Sequence, residues 1–499
     1  MANSHQSWII HIFSMAIFLA SVHLGCEGDS SSEYKRVCYY TNWSQYRPGQ
    51  GKYTPENIDA KLCTHIIYAF AKVVNSELKT VEWNDKQMFQ KLQQLKVSNP
   101  RLKTLIAVGG WNAASTEFTR MVSKRQNRQK FIESSVSFLQ TFGFNGLDLD
   151  WEYPTKRGGK PDDKKNFARL VKEMKGKFNM NGYLLTAAVP AGKKNIDDGY
   201  KVKSLAKNLD FINLMSYDLH GSWEKTTGEN SPLYPRKKES GESRQLNMNW
   251  AAQYWTRKGV PKNKLIIGMA TYGRSFTLTN PAQNTIGAPT RGAGQAGKFT
   301  RSAGFLSYYE ICQMQETGHG QEYWDDEQKV PYFVDGSLWV GYDNVRSITE
   351  KVKWLKDQGF GGAMIWSLDL DDFKNTCRSS GRPYPLLGVI YDLLTSGKVK
   401  TTTPSSKGTT SQNRTTSHTT RPKTSTTLPT RSTTHHGKEF RCTSRTDGFY
   451  PDPVSCRHFY RCVDHFAFHY ICPSNLYFNP KLQLCDWPDN VDCKNDKDF

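Results

Sequence analysis

Long apolar runs are almost missing from this chain, as are Cys-x-x-Cys spacings and any basic helix or nucleic-acid motif. Each absence excludes something. A single run, at the N-terminus, is apolar enough to engage a membrane, so no multi-span membrane protein is encoded. Without paired Cys-x-x-Cys spacings the cysteines do not read as a zinc framework. The formal net charge of +20 invites a nucleic-acid reading, but residues 398–438 carry eight Lys or Arg and no acid. Much of the excess therefore belongs to one tail-like segment, and charge alone is weak evidence for a nucleic-acid partner. No nucleic-acid partner, metal or cofactor is expected. What remains is ordinary for a globular protein, 37% hydrophobic and 23% charged. A length of 499 residues points to more than one domain.

Residues 1–25 hold the short apolar run, followed by small and then polar residues, the pattern of a signal peptide. The other reading, an uncleaved anchor, suffers from the shortness of the run. Of eleven cysteines, Cys26 lies beside this run, and the remaining ten are an even set. Six of them crowd into the C-terminal end, which points to an oxidising, extracellular compartment and a secreted protein with no membrane attachment after processing.

The stretch Phe144-Asn-Gly-Leu-Asp-Leu-Asp-Trp-Glu-Tyr-Pro154 alternates apolar and acidic residues. On a strand, successive side chains point to opposite faces, so Asp148, Asp150 and Glu152 share one face and Leu147, Leu149 and Trp151 the other. Crowded carboxylates cannot all ionise, so at least one pKa must rise, and a raised carboxyl can act as a general acid. Such a row can also pair with buried basic groups or bind calcium or magnesium. The flanking Trp151 and Tyr153 favour a sugar.

Strands are expected at 37–40, 65–70, 104–108, 146–151, 184–188, 211–215, 265–270 and 363–366, with amphipathic helical patterns between most, such as 131–142 and 166–174. Eight strands alternating with helices predict a (β/α)8 barrel over 34–393. The surplus length falls at about 275–343. Aromatic and polar residues gather where strands end: Tyr39, Trp43, Phe70, Trp111, Asn112, Met215, Tyr217, Asp218, Tyr272, Arg274 and Trp366. Any one alone reads as core. Together, at one end of a barrel, they read as a groove lined by flat rings with a few polar groups, suited to pyranose rings.

The acidic stretch resembles the signature of family 18 glycoside hydrolases, the chitinases. One departure is visible: Asn145 stands where that family usually has Asp, which puts the pH profile in question more than activity. The resemblance implies a TIM barrel with a small α+β insertion beside the cleft. It implies Glu152 as acid, with Asp150, Asp148 and Tyr217 as its catalytic partners. Substrate contacts would come from Tyr39, Phe70, Trp111, Tyr153, Met215, Asp218, Tyr272, Arg274 and Trp366, with Trp366 under the sugar before the scissile bond. Trp83, Trp111 and Trp223 resemble groove or edge aromatics. Disulfides Cys38–Cys63 and Cys312–Cys377 follow from the same resemblance. The sequon at Asn42 is expected to be unused, since it lies at a strand end facing the cleft.

Residues 394–438 form a Ser/Thr/Pro-rich stretch with almost no large apolar residue, too polar to fold and typical of an O-glycosylated stalk. Its Asn413 sequon is expected to be exposed. Residues 439–499 carry Cys442, Cys456, Cys462, Cys472, Cys485 and Cys493, whose spacing allows fifteen pairings. With Phe459-Tyr-Arg-Cys462 and Cys485-Asp-Trp-Pro488, the segment resembles a peritrophin-A type chitin-binding domain. That family implies the pairs Cys442–Cys462, Cys456–Cys493 and Cys472–Cys485, and Trp487 and Tyr460 as sugar platforms. The expectation is a secreted, monomeric chitinase whose partners are chitin and N-acetylglucosamine oligomers. The alternatives are a non-catalytic chitin-binding lectin, a hydrolase of another N-acetylglucosamine glycan, and a structural matrix protein.

Overall fold

The computed structural model describes residues 34–396 and, apart from 443–445, 447, 464–465, 473–476, 481–482, 487 and 489–490, residues 440–492. The expected signal peptide and nearly all of the expected stalk, with the Asn413 sequon, lie outside the described residues. The chain divides into two units, 1–402 and 403–499.

In the first unit, eight parallel strands pair in chain order: Lys35–Thr41, His65–Val74, Lys103–Gly109, Gly146–Asp150, Leu184–Pro190, Phe211–Met215, Leu265–Ala270 and Gly362–Trp366. The first strand pairs with both the second and the eighth, so the sheet closes into a barrel. Strands buried on both faces read as apolar runs rather than strict alternation, and these do. Inward residues Val37, Tyr39, Ile67, Ala69, Leu105, Ala107, Ile266 and Met364 form the barrel's interior cluster. Their outward neighbours, among them Tyr40, Ile66, Ile106 and Leu147, pack under the surrounding helices. α-Helices cross between successive strands except the first two, which are joined by three short 3-10 turns.

Two of the boundaries that differ from expectation do so for a reason that bears on the site. The second strand runs past Phe70 to Val74, because it continues into a hairpin with Glu77–Lys79; the ladder slips between Ala69 and Ala71, which takes Phe70 out of register. The fourth strand stops at Asp150. Trp151 and Glu152 therefore lie just beyond it, at the mouth.

Between the seventh and eighth strands stands a separate antiparallel sheet, with the helix Tyr308–Glu316. It begins at Tyr272, earlier than length alone placed it, because the strand Tyr272–Leu278 pairs with Phe305–Ser307 and Leu338–Gly341. Cys38–Cys63 staples the first strand to the turn before the second, and Cys312–Cys377 ties the insertion's helix to the segment after the eighth strand.

The second unit holds a three-stranded antiparallel sheet, Gly448–Pro451, His458–Val463 and Phe466–Ile471, and a pair of short strands, Tyr477–Asn479 and Leu484–Asp486. Cys442 is bonded to Cys462. Cys456 and Cys472 are also disulfide-bonded. The placement of Cys493, and of the Cys485 side chain, lies outside what is described. Among the described residues no helix is long and apolar enough to cross a membrane.

Candidate active site

Asp148 and Asp150 point into the barrel and are almost wholly buried. Asp148 has no solvent to ionise into, and instead collects donors from three other strands. Tyr39 donates its hydroxyl at 2.7 Å, Asn213 its amide at 3.2 Å, and Thr186 its hydroxyl. Burial still wins over these donors and pushes the Asp148 carboxyl up to about 6. Asp150 has no such support. Its Oδ1 is buried without a hydrogen-bond partner among the described residues. Burial first, then the charges of Glu152 and Asp148, holds its carboxyl well above the usual range. Glu152 lies at the rim. Burial and the charge of Asp218 raise it to about 7, against the pull of the Tyr153 phenol and the Arg157 guanidinium.

The backbone around the acid is held carbonyl by carbonyl. Gly110 N–H donates to the Asp150 carbonyl at 2.8 Å, the Tyr200 hydroxyl to that of Trp151 at 3.4 Å, the Arg157 guanidinium to that of Glu152 at 3.3 Å, and the Ser115 hydroxyl to that of Tyr153 at 3.1 Å. Ser115 also accepts the indole N–H of Trp151 at 2.8 Å, so one buried hydroxyl grips the residues on both sides of Glu152. Trp151 itself faces outward, stacked on Phe118 and edge-on to Phe167. Gly109 is glycine for a steric reason: a Cβ there would sit 2.1 Å from the Asp150 carbonyl oxygen.

Rings form one wall. Trp366, at the end of the eighth strand, lies near Tyr39, Trp43 and Phe70, with centroids 5.2, 6.1 and 5.9 Å away. Phe70 and Trp43 stack in turn. On the insertion side, Asp218 accepts from the Tyr272 hydroxyl and from Arg274 Nε, each at 2.7 Å. Asp218 adopts a left-handed φ of 56°, and its N–H donates to the buried Asn230. Arg274 lies over the rings of Trp223 and Phe305. Tyr217 sits edge-on to Tyr272, its hydroxyl directed at the Met364 sulfur. Met215 packs on the interior cluster below. Trp111 projects into solvent, and the Arg157 guanidinium lies 3.6 Å from its centroid. Trp83 and Trp223 are also exposed, at 68% and 60%.

The chain matches the glycosyl hydrolases family 18 over residues 35–371 and the chitin binding Peritrophin-A domain over residues 442–493. It belongs to family 18 of the glycosyl hydrolases. It is a chitinase-type glycoside hydrolase with a peritrophin-A module at its C-terminal end. Mouse chitotriosidase-1 is 43% identical over 463 residues, covering 91% of this chain and 96% of that protein. An endochitinase of Brugia malayi is 43% identical over 487 residues, covering 92% and 95%. Among solved structures, an immunomodulatory active chitinase of Trichuris suis has a TM-score of 0.70 and 46% identity, covering 72% of this chain and 100% of that one. Human YKL-39, described as a pseudo-chitinase with retained chitooligosaccharide binding, has a TM-score of 0.70 and 44% identity over 73% of this chain and 100% of its own.

Several residues of this family 18 site escape a reading that looks only at strand ends. Thr186 and Asn213 lie within the fifth and sixth strands and serve Asp148 from inside the barrel. A polar residue within an otherwise apolar strand was the available signal. Ser115, Arg157 and Asn230 come from loops, where no periodicity marks them. Asn145 is at the opposite end of its strand from Glu152. Its Oδ1 accepts the Thr104 N–H at 3.0 Å, a bond an aspartate would make equally well. The family's usual residue is replaced without loss of that acceptor. Asn42 is buried, its amide donating to the Phe70 carbonyl and to Asp85, which leaves no free nitrogen for a glycan in the folded protein.

Proposed function

We propose that this protein is a secreted chitinase that cuts β-1,4 linkages between N-acetylglucosamine units with retention, using the substrate's own acetamido group as nucleophile. The observation that carries the reading is the pairing of Glu152, raised to about 7 at the strand mouth, with a buried, partnerless Asp150 oxygen beside it. Ordinary retaining glycosidases use two carboxylates, one of them as nucleophile, and family 18 departs from that scheme by substrate assistance. Asp150 stands two residues before Glu152 and feels its charge, which makes it a neighbour of the acid and not an attacker from the opposite sugar face.

In this reading Glu152 gives its proton to the glycosidic oxygen as the bond to the anomeric carbon breaks. The acetamido oxygen closes onto that carbon, and the positive charge spreads over an oxazolinium ring. Asp150 accepts the acetamido N–H and offsets the charge, while Tyr217 donates to the acetamido oxygen. Glu152, now a carboxylate, takes a proton from the water that reopens the ring. Asp148 shares a proton with Asp150, and the two titrate as a pair. Trp366 lies under the sugar before the scissile bond. Tyr39, Phe70, Trp111, Tyr153, Met215, Asp218, Tyr272 and Arg274 contact the substrate.

The proposed layout is a signal peptide at 1–25, a catalytic barrel at 34–393 with its insertion, a glycosylated stalk at 394–438 and a chitin anchor at 439–499. The last barrel-unit helix runs on to Thr395, slightly beyond the proposed boundary. The disulfides support an extracellular setting. Tethering through the Ser/Thr/Pro-rich stretch would raise the concentration of a monomeric enzyme at the polymer surface. The lectin alternative has support from the pseudo-chitinase among the relatives. One experiment separates the two. Glu152→Gln should cut hydrolysis of a fluorogenic chitobioside by ~10²–10⁴, keep oligosaccharide binding by calorimetry, and leave wild type releasing β product by NMR. No wild-type turnover would sink the enzyme, and α product the mechanism.

A further inference from the structure

We propose that Tyr470 is the sugar-stacking platform of the C-terminal module, its outer ring face taking the apolar face of an N-acetylglucosamine unit in the polymer. The proposal rests on the reading of that module as the chitin anchor. Side chains alternate across the three-stranded sheet, so its two faces can be compared directly.

On one face Tyr460 is sandwiched. Phe440 stacks on it at 4.1 Å and 7°, and His469 at 4.5 Å and 28°. Both faces of the Tyr460 ring are thereby covered, which removes one of the two platforms expected from sequence; the other, Trp487, lies outside the described residues. His469 is no better placed, since it pairs with Asp452 at 2.8 Å and lies 5.0 Å from the His458 ring.

On the opposite face Phe459 is the sandwiched ring. Phe478 stacks on it at 4.7 Å and 17°, and Tyr470 at 5.3 Å and 15°. The inner end of this stack is buried, with Phe478 only 2% exposed, while Tyr470 at the outer end is 42% exposed. Among the described residues Phe459 is the sole ring contact of Tyr470. Tyr470 is therefore held flat from behind by Phe459, which Phe478 backs in turn, is paired in register with Phe459, and keeps a face for solvent. Arg461, on the same sheet face, is turned the other way, 5.3 Å over Phe449, and leaves the Tyr470 side uncovered. A flat, pre-positioned ring meets a pyranose at little entropic cost.

The test uses the full chain, with Trp366→Ala in all samples to weaken the cleft, and reads depletion from solution by insoluble chitin beads. Tyr470→Ala should weaken bead binding roughly tenfold, and Tyr470→Trp should retain it. In the native-cleft background, hydrolysis of a soluble chitobioside should be unchanged by Tyr470→Ala. Undiminished bead binding by Tyr470→Ala overturns the platform. So does equal loss in the Ala and Trp variants, since the Trp ring should serve. If the parent chain itself fails to bind the beads, the anchor reading falls first and the platform with it.

Discussion

At the residue scale the proposed mechanism depends on carboxyls that burial keeps from ionising. Glu152 must carry a proton to act as an acid, and that proton is held below a pKa of about 7. The acidic form therefore dominates below neutrality and is lost as pH rises, so kcat/KM should fall through an alkaline limb near 7 in a pH–rate profile. Asn145→Asp should leave that limb where it is, because the side chain sits at the far end of the strand and keeps its acceptor to Thr104; a displaced limb would show a coupling the geometry lacks. The row of acids and its shared face were legible from alternation alone. The different fates of its members were not, since Asp148 collects donors from three strands and Asp150 lacks one.

At the element scale, the loop after the third strand controls the turn after the fourth. Ser115 bonds Trp151 and Tyr153 together across Glu152. Without that hydroxyl the acid's backbone loses two of its restraints, and small misplacements of a catalytic group are costly. Ser115→Ala should lower kcat by ~10- to 100-fold with KM little changed, and Ser115→Thr should recover most of it. A change in KM alone would assign Ser115 to binding instead. Strand positions could be read from apolar runs, apart from ends such as the early one at Asp150 and the late one at Val74. The onset of the insertion at Tyr272 could not, because a strand that leaves the barrel for an antiparallel partner looks locally like a continuing one.

At the scale of the whole molecule, the buried acids link stability to pH. Asp148 is raised to about 6, and Glu152 and Asp371 to about 7, the last by burial against its backbone donors. In the unfolded chain such groups titrate near ~4. The folded state thus holds protons that the unfolded chain has released, and the stability contributed by these groups is full below about pH 4 and lost as pH rises through about 6 and 7. Tm should fall between about pH 5 and about pH 8, and Glu152→Gln should narrow that fall; an unchanged difference would mean that the Glu152 charge costs the fold nothing. The primary sequence determined, without help, the period-2 alternation that aligns three acids, the eight apolar runs of a barrel and the cysteine-dense end, because these are local patterns that survive in one dimension. Only tertiary structure decided which acid has donors, which tyrosine of the small domain keeps an open face, and which loop hydroxyl grips the acid, because each depends on neighbours distant along the chain.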